Sequence, residues 1–184
     1  MKIREGQILK DIIVIEPTVY EDNRGFFLES YNKEKLAKAG ITAEFVQDNH
    51  SLSLEVGVIR GLHYQLNPHA QSKLVRVTSG AIYDIVVDIR QGSPTFGKWE
   101  GFELSSRNKL QLFVPKGFAH GFCTLESRTE VQYKVDCFYS PEHDRGIAWN
   151  DPGLGIQWPV TPPVLSSKDI GHPLIGDADN NFVY

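Results

Sequence analysis

The 184-residue sequence predicts an all-β fold, a β-sandwich or jelly-roll barrel with few short helices. Short segments rich in β-branched and aromatic residues recur along the chain and are separated by turns that contain glycine and proline. Helix signals are clear only at 32–40, where Asn32 is a candidate N-cap and Gly40 a candidate stop. A chain of this length supports one hydrophobic core, so we expect a single domain over residues 1–184.

The segment at 73–90, KLVRVTSGAIYDIVVDIR, contains two β-branched runs around Ser79-Gly80 and predicts a β-hairpin. In its second run the alternation of side chains puts Asp84 and Asp88 on the face that carries isoleucine and valine. Acidic residues on an apolar face indicate an interior that is partly polar.

A further strand is predicted at 129–139, TEVQYKVDCFY, with Tyr133 on its apolar face. From about residue 140 the chain becomes rich in Pro, Gly and Asp, which predicts an irregular C-terminal tail over the core.

The segment RGLHYQ at 60–65 places a histidine in a predicted strand. Strict alternation would put Arg60 on one face with Leu62 and Tyr64, and His63 on the other between Gly61 and Gln65. Lone histidines are most often structural, so a packed and hydrogen-bonded His63 is the first alternative to a functional one.

Composition limits the possible partners. A formal charge of −4 and a pI near 5.9 argue against nucleic acid and anionic membranes as binding partners. The charged start of the sequence does not resemble a signal peptide, and no apolar run approaches a membrane span. Cys123 and Cys137 lack metal or disulfide spacing and are expected to be buried free thiols. We therefore expect a cytoplasmic protein.

The segment VPKGFAHGF at 114–122 has the spacing Pro-x-Gly-x-x-His and resembles the second signature of the cupin jelly rolls. A metal-binding cupin supplies two histidines in its first signature, whereas RGLHYQ supplies only His63. His69 and His120 have the wrong spacing to complete a metal site. A cavity that gathers His63, Arg60, Lys73 and His120 favours a metal-free pocket for an anionic ligand.

Seven separated segments resemble the dTDP-4-dehydrorhamnose 3,5-epimerase family, in the same order and at similar intervals. They are RGFFLES (24–30), VQDNHS (46–51), RGLHYQ, GSPTFGKW (92–99), VPKGFAHGF, YSPEHDRGIAWNDP (139–152) and LSSKD (165–169). The resemblance implies a cupin-type jelly roll, a homodimer, and an enzyme that needs no cofactor or metal. It also implies a dTDP-linked 4-keto-6-deoxy sugar as substrate, inverted at C3 and C5.

The resemblance assigns four catalytic residues. His63 is implied as the base, Asp169 as the acid that orients and charge-balances it, Tyr133 as the proton donor, and Lys73 as a cation near the ketone. Each has an alternative: Tyr133 as a core tyrosine, Lys73 as a solvated charge, and Asp169 as part of a capping box with Ser166.

The resemblance also implies substrate-binding residues, one of which, Asp144, stands where the family often has glutamate. They are Arg24, Phe27, Glu29, Gln47, Asn49, Arg60, His120, Tyr139, Asp144 and Lys168. Arginine and lysine suit a pyrophosphate, and an aromatic ring can stack on a base.

The sequence leaves three other functions open. The first is an epimerase that inverts C3 alone or C5 alone, because such relatives need the same base beside the same sugar. The second is a metal-dependent cupin enzyme, and the third is a cupin that binds sugar without catalysis.

Overall fold

A computed structural model describes all 184 residues. Its strands, numbered in chain order, are β1 Lys2–Glu5, β2 Ile13–Glu16, β3 Val19–Asp22, β4 Gly25–Leu28, β5 Gln47–Ser53, β6 Ile59–Gln65, β7 Lys73–Ser79, β8 Ala81–Asp88, β9 Trp99–Ser105, β10 Gln111–Val114, β11 Phe118–Thr124, β12 Thr129–Val135 and β13 Asp144–Gly146. The two helices are α1 Lys33–Lys38 and α2 Ser167–Ile170.

Two antiparallel sheets form the body of the protein, and the predicted all-β jelly roll is confirmed. One sheet has six strands in the order β1-β2-β10-β7-β12-β5, and the other has five in the order β13-β6-β11-β8-β9. Strands β3 and β4 form a separate hairpin. The predicted irregular tail after residue 140 contains only two short elements, β13 and α2.

The main core lies between the two sheets. Fourteen buried side chains form it, with inward positions of both sheets represented, for example Val75 of β7, Ile82 and Val86 of β8, and Leu112 of β10. A second cluster packs the tail against the outer face of the five-stranded sheet, where Phe182 joins residues of β6, β8 and β11. Strand β8 is therefore covered on both faces.

The predicted hairpin at 73–90 is wrong. Strand β7 pairs with β10 and β12 in the six-stranded sheet, whereas β8 pairs with β11 and β9 in the five-stranded sheet. Ser79-Gly80 is therefore a corner at which the chain crosses from one sheet to the other. Gly80 has φ +75°, and a Cβ there would collide with Thr129, so the corner requires glycine.

The other local predictions are close to the structure. Helix α1 starts after Asn32, whose side chain accepts a hydrogen bond from the Lys35 N–H. The strand predicted at 129–139 ends at Val135, and within it Tyr133 packs against the inter-sheet core. Cys123 is a buried free thiol, and Cys137 is free but only half-buried. Neither helix has the length and apolar character that crossing a lipid bilayer requires.

The predicted alternation in RGLHYQ holds for Leu62, His63 and Tyr64 but is wrong for Arg60. Along β6 and β11, His63 pairs with His120 and Arg60 pairs with Phe122, so β6 carries one extra residue between the two pairs. Such a bulge shifts the alternation by one position. The Arg60 side chain therefore turns towards the six-stranded sheet, where it donates to Ser53 Oγ and to the Leu52 carbonyl.

Glycines at the bulge allow the two strands to approach closely. Gly61 has φ +127°, and a Cβ at this position would lie 2.5 Å from the Gly121 Cα. An L-residue here would both strain the backbone and separate β6 from β11.

The Asp88 carboxylate is buried and has a structural role. It accepts hydrogen bonds from the Arg90 guanidinium, Ser93 Oγ and Thr95 Oγ1. The Arg90 guanidinium also lies over the rings of Phe118 and Tyr184, so this network fixes the C-terminal residue on the barrel.

Leu112→Ala tests the inter-sheet core. Leu112 is fully buried, so its truncation should lower the free energy of unfolding by about 2–5 kcal/mol through lost burial and a residual cavity. Urea unfolding followed by circular dichroism measures this loss. Leu54→Ala is the matched control because Leu54 is 61% exposed, and an equal loss in both variants would contradict the assignment of the core.

Candidate active site

A cavity of about 160 Å³ opens at one end of the barrel and brings together seven of the predicted site residues. Strands of both sheets and the tail contribute to its lining, which contains His63, Lys73, Tyr133, Tyr139, Asp144 and Lys168. Asp169, the seventh, reaches the cavity through its hydrogen bond to His63. Residues more than 100 positions apart therefore form one site.

His63 and Asp169 form a hydrogen-bonded pair across 106 residues of sequence. The distance from His63 Nε2 to Asp169 Oδ1 is 2.7 Å. A neutral imidazole that donates through Nε2 keeps its lone pair on Nδ1. His63 can therefore accept a proton at Nδ1 while Asp169 balances the resulting charge.

Three donors hold the buried Asp169 carboxylate. Besides His63, Ser166 Oγ lies 2.5 Å from Oδ2 and the Gly61 N–H lies 3.3 Å from Oδ1. Burial opposes ionisation, but the hydrogen bonds outweigh it and lower the pKa of Asp169 to about 2. Asp169 is therefore a carboxylate at neutral pH.

The capping alternative for Asp169 and its predicted pairing with His63 are both present. Ser166 is the N-cap of α2 and its Oγ accepts from the Asp169 N–H, so the four-residue helix starts as the capping box predicts. The same short helix carries the Asp169 side chain to the barrel opening.

His120 faces the barrel interior and pairs with Asp84. Its Nε2 lies 2.9 Å from both carboxylate oxygens of Asp84, which is fully buried. Burial raises the pKa of Asp84, although His120 and Lys73 favour its ionised form. The partly polar interior predicted from Asp84 is confirmed.

Lys73 begins β7 on the inward face and is not a solvated surface charge. Its Nζ donates to the His63 carbonyl at 3.3 Å. Burial lowers the pKa of Lys73 to about 8, although the nearby charges of Asp84 and Asp144 raise it. The site therefore holds a cation at neutral pH that is poorly solvated and available to a ligand.

Tyr133 lies on β12, in the sheet opposite to that of His63. Burial raises the pKa of its phenol, with smaller and opposite effects from Arg60 and Asp144. The hydroxyl is therefore protonated at neutral pH and can act as a hydrogen-bond or proton donor.

Three predicted binding residues meet at the opening of the cavity. Tyr139 donates from its hydroxyl to Asp144 Oδ2 at 3.0 Å, and the Lys168 ammonium forms a short ion pair with the same oxygen. The aspartate thus reaches both partners despite being shorter than glutamate. The Tyr139 ring is 56% exposed, which leaves its face available for stacking.

Gln47 and Asn49 lie on β5 beside the site. Asn49 pairs directly with Tyr133 in the sheet, and Gln47 Nε2 donates to Asn49 Oδ1 at 2.9 Å. Gln47 Oε1 also accepts from the Tyr139 N–H, which links this strand to the opening of the cavity.

Arg24, Phe27 and Glu29 are not brought to the cavity of their own chain. Arg24 pairs with Asp22 on the β3–β4 hairpin, and Glu29 pairs with Lys35 of α1. The Phe27 side chain is 69% exposed. These three predicted residues therefore do not line the cavity of their own chain.

His172 is a site residue that the sequence did not reveal. Its ring lies 5.3 Å from the His63 ring in an edge-on arrangement, and its Nε2 is 3.8 Å from Asp169 Oδ1. Candidate ligand atoms of His63, Asp169 and His172 lie within 4.8 Å of one another, but His63 and Asp169 already share a hydrogen bond there. In the structure the group consists of this hydrogen-bonded pair and the His172 ring beside it.

Comparison with known families identifies the chain. The family model described as dTDP-4-dehydrorhamnose 3,5-epimerase matches residues 7–177. The chain belongs to this family. A dTDP-4-dehydrorhamnose 3,5-epimerase of Shigella flexneri is 54% identical over 172 residues, which cover 93% of this chain and 94% of that protein. The resemblance carried by the seven sequence segments is thus confirmed.

Solved structures of the family have the same fold. The Bacillus anthracis epimerase, with TDP and PPi bound, has a TM-score of 0.91 and 57% identity over 94% of this chain and 98% of its own. A Legionella pneumophila dTDP-6-deoxy-D-glucose-3,5-epimerase, in complex with dTDP-4-keto-L-rhamnose, has a TM-score of 0.92 and 46% identity. That match covers 97% of this chain and 94% of the other. The predicted cupin-type fold therefore agrees with the family.

The stability contributed by Asp169 should depend on pH. Its pKa in the folded state, about 2, lies below the ordinary value of 3.8, so the ionised form stabilises the fold at higher pH. This contribution, on the order of 2 kcal/mol, should be lost as the pH falls from about 4 to about 2.

Urea unfolding of the wild type and Asp169→Asn across this pH range measures the effect. The difference in unfolding free energy between them should shrink on acidification. Asp177→Asn, which changes an exposed side chain, should show no such trend. A difference between wild type and Asp169→Asn that stays constant with pH would contradict the assignment.

Proposed function

We propose that the protein inverts C3 and C5 of dTDP-4-dehydro-6-deoxy-D-glucose, giving dTDP-4-dehydro-L-rhamnose. The observation that carries this proposal is the cavity in which a histidine with a carboxylate partner faces a protonated phenol from the opposite sheet. Family membership supports the reaction, and the bound nucleotides of the two solved relatives support a dTDP-linked substrate.

His63 acts as the base. Both inverted carbons are adjacent to the C4 ketone, so removal of either proton gives an enolate that the carbonyl oxygen can hold. His63 Nδ1 takes the proton, and Asp169, ionised at neutral pH, stabilises the imidazolium that forms.

Tyr133 returns a proton to the opposite face. Inversion needs an acid across the sugar ring from the base, and β6 and β12 belong to opposite sheets. Because its pKa is raised, the Tyr133 phenol stays protonated until the enolate forms. The enolate carbon then accepts this proton.

Lys73 stabilises the enolate oxygen. Its ammonium is buried, so its charge is less screened by water than a surface lysine would be. His120, held by Asp84 on the neighbouring strand β8, provides a second polar group from the opposite sheet.

The nucleotide part of the substrate occupies the open end of the cavity. Lys168 and Arg60 provide positive charge for the pyrophosphate, and Tyr139 provides an exposed ring for the base. Asp144 and Gln47 each hold Tyr139 in place, and Asn49 in turn accepts a hydrogen bond from Gln47.

A homodimer is part of the proposal. The β3–β4 hairpin exposes three aromatic rings, with Tyr20 64%, Phe26 60% and Phe27 69% exposed. Large exposed aromatic groups are typical of interaction surfaces. A second copy of the chain would receive the hairpin and with it the binding residues Arg24, Phe27 and Glu29.

We also propose that residues 1–184 act as one domain in the cytoplasm. The tail supports the first point because it packs on the barrel and supplies Asp169 and Lys168 to the site. The two free cysteines support the second, since oxidising compartments favour disulfides.

Solvent isotope exchange distinguishes double from single inversion. In deuterium oxide with dTDP-4-dehydro-6-deoxy-D-glucose, NMR should show deuterium entering both C3 and C5. An NADPH-dependent reductase specific for the L-lyxo product should consume that product. Exchange at one carbon alone would reduce the function to that of a single-site epimerase.

Separate substitutions distinguish the base from the acid. His63→Ala should lose exchange and inversion together, because no enolate forms, by about 10²- to 10⁴-fold. Tyr133→Phe removes only the hydroxyl, so exchange should persist through His63 while inversion falls much further. The measured quantity is the ratio of exchange to inversion in one sample. An unchanged ratio in Tyr133→Phe would show that this phenol is a core tyrosine and not the acid.

A further inference from the structure

His172 contains the one buried side-chain polar atom in the protein that has no hydrogen-bond partner. This atom is Nε2, and the side chain as a whole is only 10% exposed. Its distance of 3.8 Å to Asp169 Oδ1 is too long for a hydrogen bond. An unpaired buried nitrogen is unfavourable, so its retention beside the base calls for a physical explanation.

The fold makes a specific place for the His172 ring. Gly146 of β13 pairs directly with His63 of β6, and a Cβ on Gly146 would collide with three atoms of the His172 ring. The ring therefore lies against the backbone at the position opposite His63, and its edge-on contact with His63 restricts rotation of the base.

Burial favours the neutral form of His172, and the charges around it act in both directions. His63 on β6, Asp144 on β13, and Lys168 and Asp169 on α2 are the titratable groups that act on it. Burial lowers the pKa of His172, His63 and Lys168 lower it further, and the carboxylates of Asp169 and Asp144 oppose this without reversing it. Two imidazoles thus flank one carboxylate, and only His63 is hydrogen bonded to it.

We propose that His172 is a positioning residue for the base: as a neutral ring it fixes the plane of the His63 imidazole, excludes water from the Asp169 carboxylate, and leaves that carboxylate to His63 alone. The proposal rests on the proposed role of His63. If His172 carried a charge, it would compete for Asp169 and would oppose formation of the His63 imidazolium.

Substitutions of His172 distinguish the effect of its aromatic ring on catalysis from the effect of a charge at this position. His172→Ala removes the ring, so kcat should fall roughly 10- to 100-fold with little change in KM, because a misoriented base affects the chemical step. His172→Phe keeps an aromatic edge against His63 and should recover most of that loss. Gly146→Ala should lower kcat as His172→Ala does, because it displaces the ring without altering it.

A charge at this position should change the pH profile. His172→Lys puts a cation beside Asp169, so the acid limb of the kcat profile should move to lower pH by about one unit, with a lower plateau. His172→Phe should leave that limb in place. Ile175→Ala is the matched control, because it truncates a partly buried tail side chain that packs against the second core cluster, and it should lower Tm without altering kcat or its pH profile.

A measurement on the wild type does not depend on the folding of any variant or on turnover. Imidazole ¹⁵N shifts should show His172 still mainly neutral at pH 6.5, because its pKa is lowered from that ordinary value. The proposal is overturned if His172 is mainly charged at pH 6.5. It is also overturned if His172→Ala keeps the wild-type kcat, or if His172→Phe and His172→Ala lose kcat equally. Absence of epimerisation by the wild type, with the shifts as expected, would instead refute the proposed function.

Discussion

The structure depends on packing two β-sheets face to face with inward side chains that are apolar at one end and polar at the other. Fourteen apolar side chains close the barrel along most of its length. Towards the opening the same strands place Lys73, Asp84 and His120 inward. Charges removed from water need partners, and here Asp84 and His120 pair while the charges of Asp84 and Asp144 favour the ionised form of Lys73. The strands that stabilise the barrel thus also carry the polar groups of the site.

Much of this arrangement could be predicted from the sequence, because alternation along a strand depends only on local geometry. It correctly placed Tyr133 inward on β12 and Asp84 inward on β8. The predicted alternation was wrong for Arg60, because β6 has one extra residue relative to its partner strand β11 and the pattern shifts there. The segment RGLHYQ alone does not reveal how its residues pair with those of β11. A bulge is a property of two strands together, and one segment of sequence does not contain it.

Other features were beyond the sequence for related reasons. A turn sequence such as Ser79-Gly80 suits both a hairpin and a corner between two sheets. Which of the two forms depends on how the flanking strands pair with distant strands. The capping box that starts at Ser166 could be predicted from the local sequence. That the same short helix places Asp169 beside His63 could not, because this contact joins residues 106 positions apart. His172 had no signal at all, because its place is made by Gly146 on a distant strand.

The four-residue helix α2 has a consequence for the temperature dependence of catalysis. Its one buried side chain is Asp169, and its attachments to the barrel are the bonds of Asp169 to His63 and Gly61 and the ion pair of Lys168 with Asp144. Segments with few buried contacts open locally at a free energy well below that of global unfolding. We therefore expect heating to separate Asp169 from His63 before the inter-sheet core melts. With Asp169 in its proposed role, we expect inactivation at moderate temperature to be local and to reverse on cooling, because the barrel remains folded.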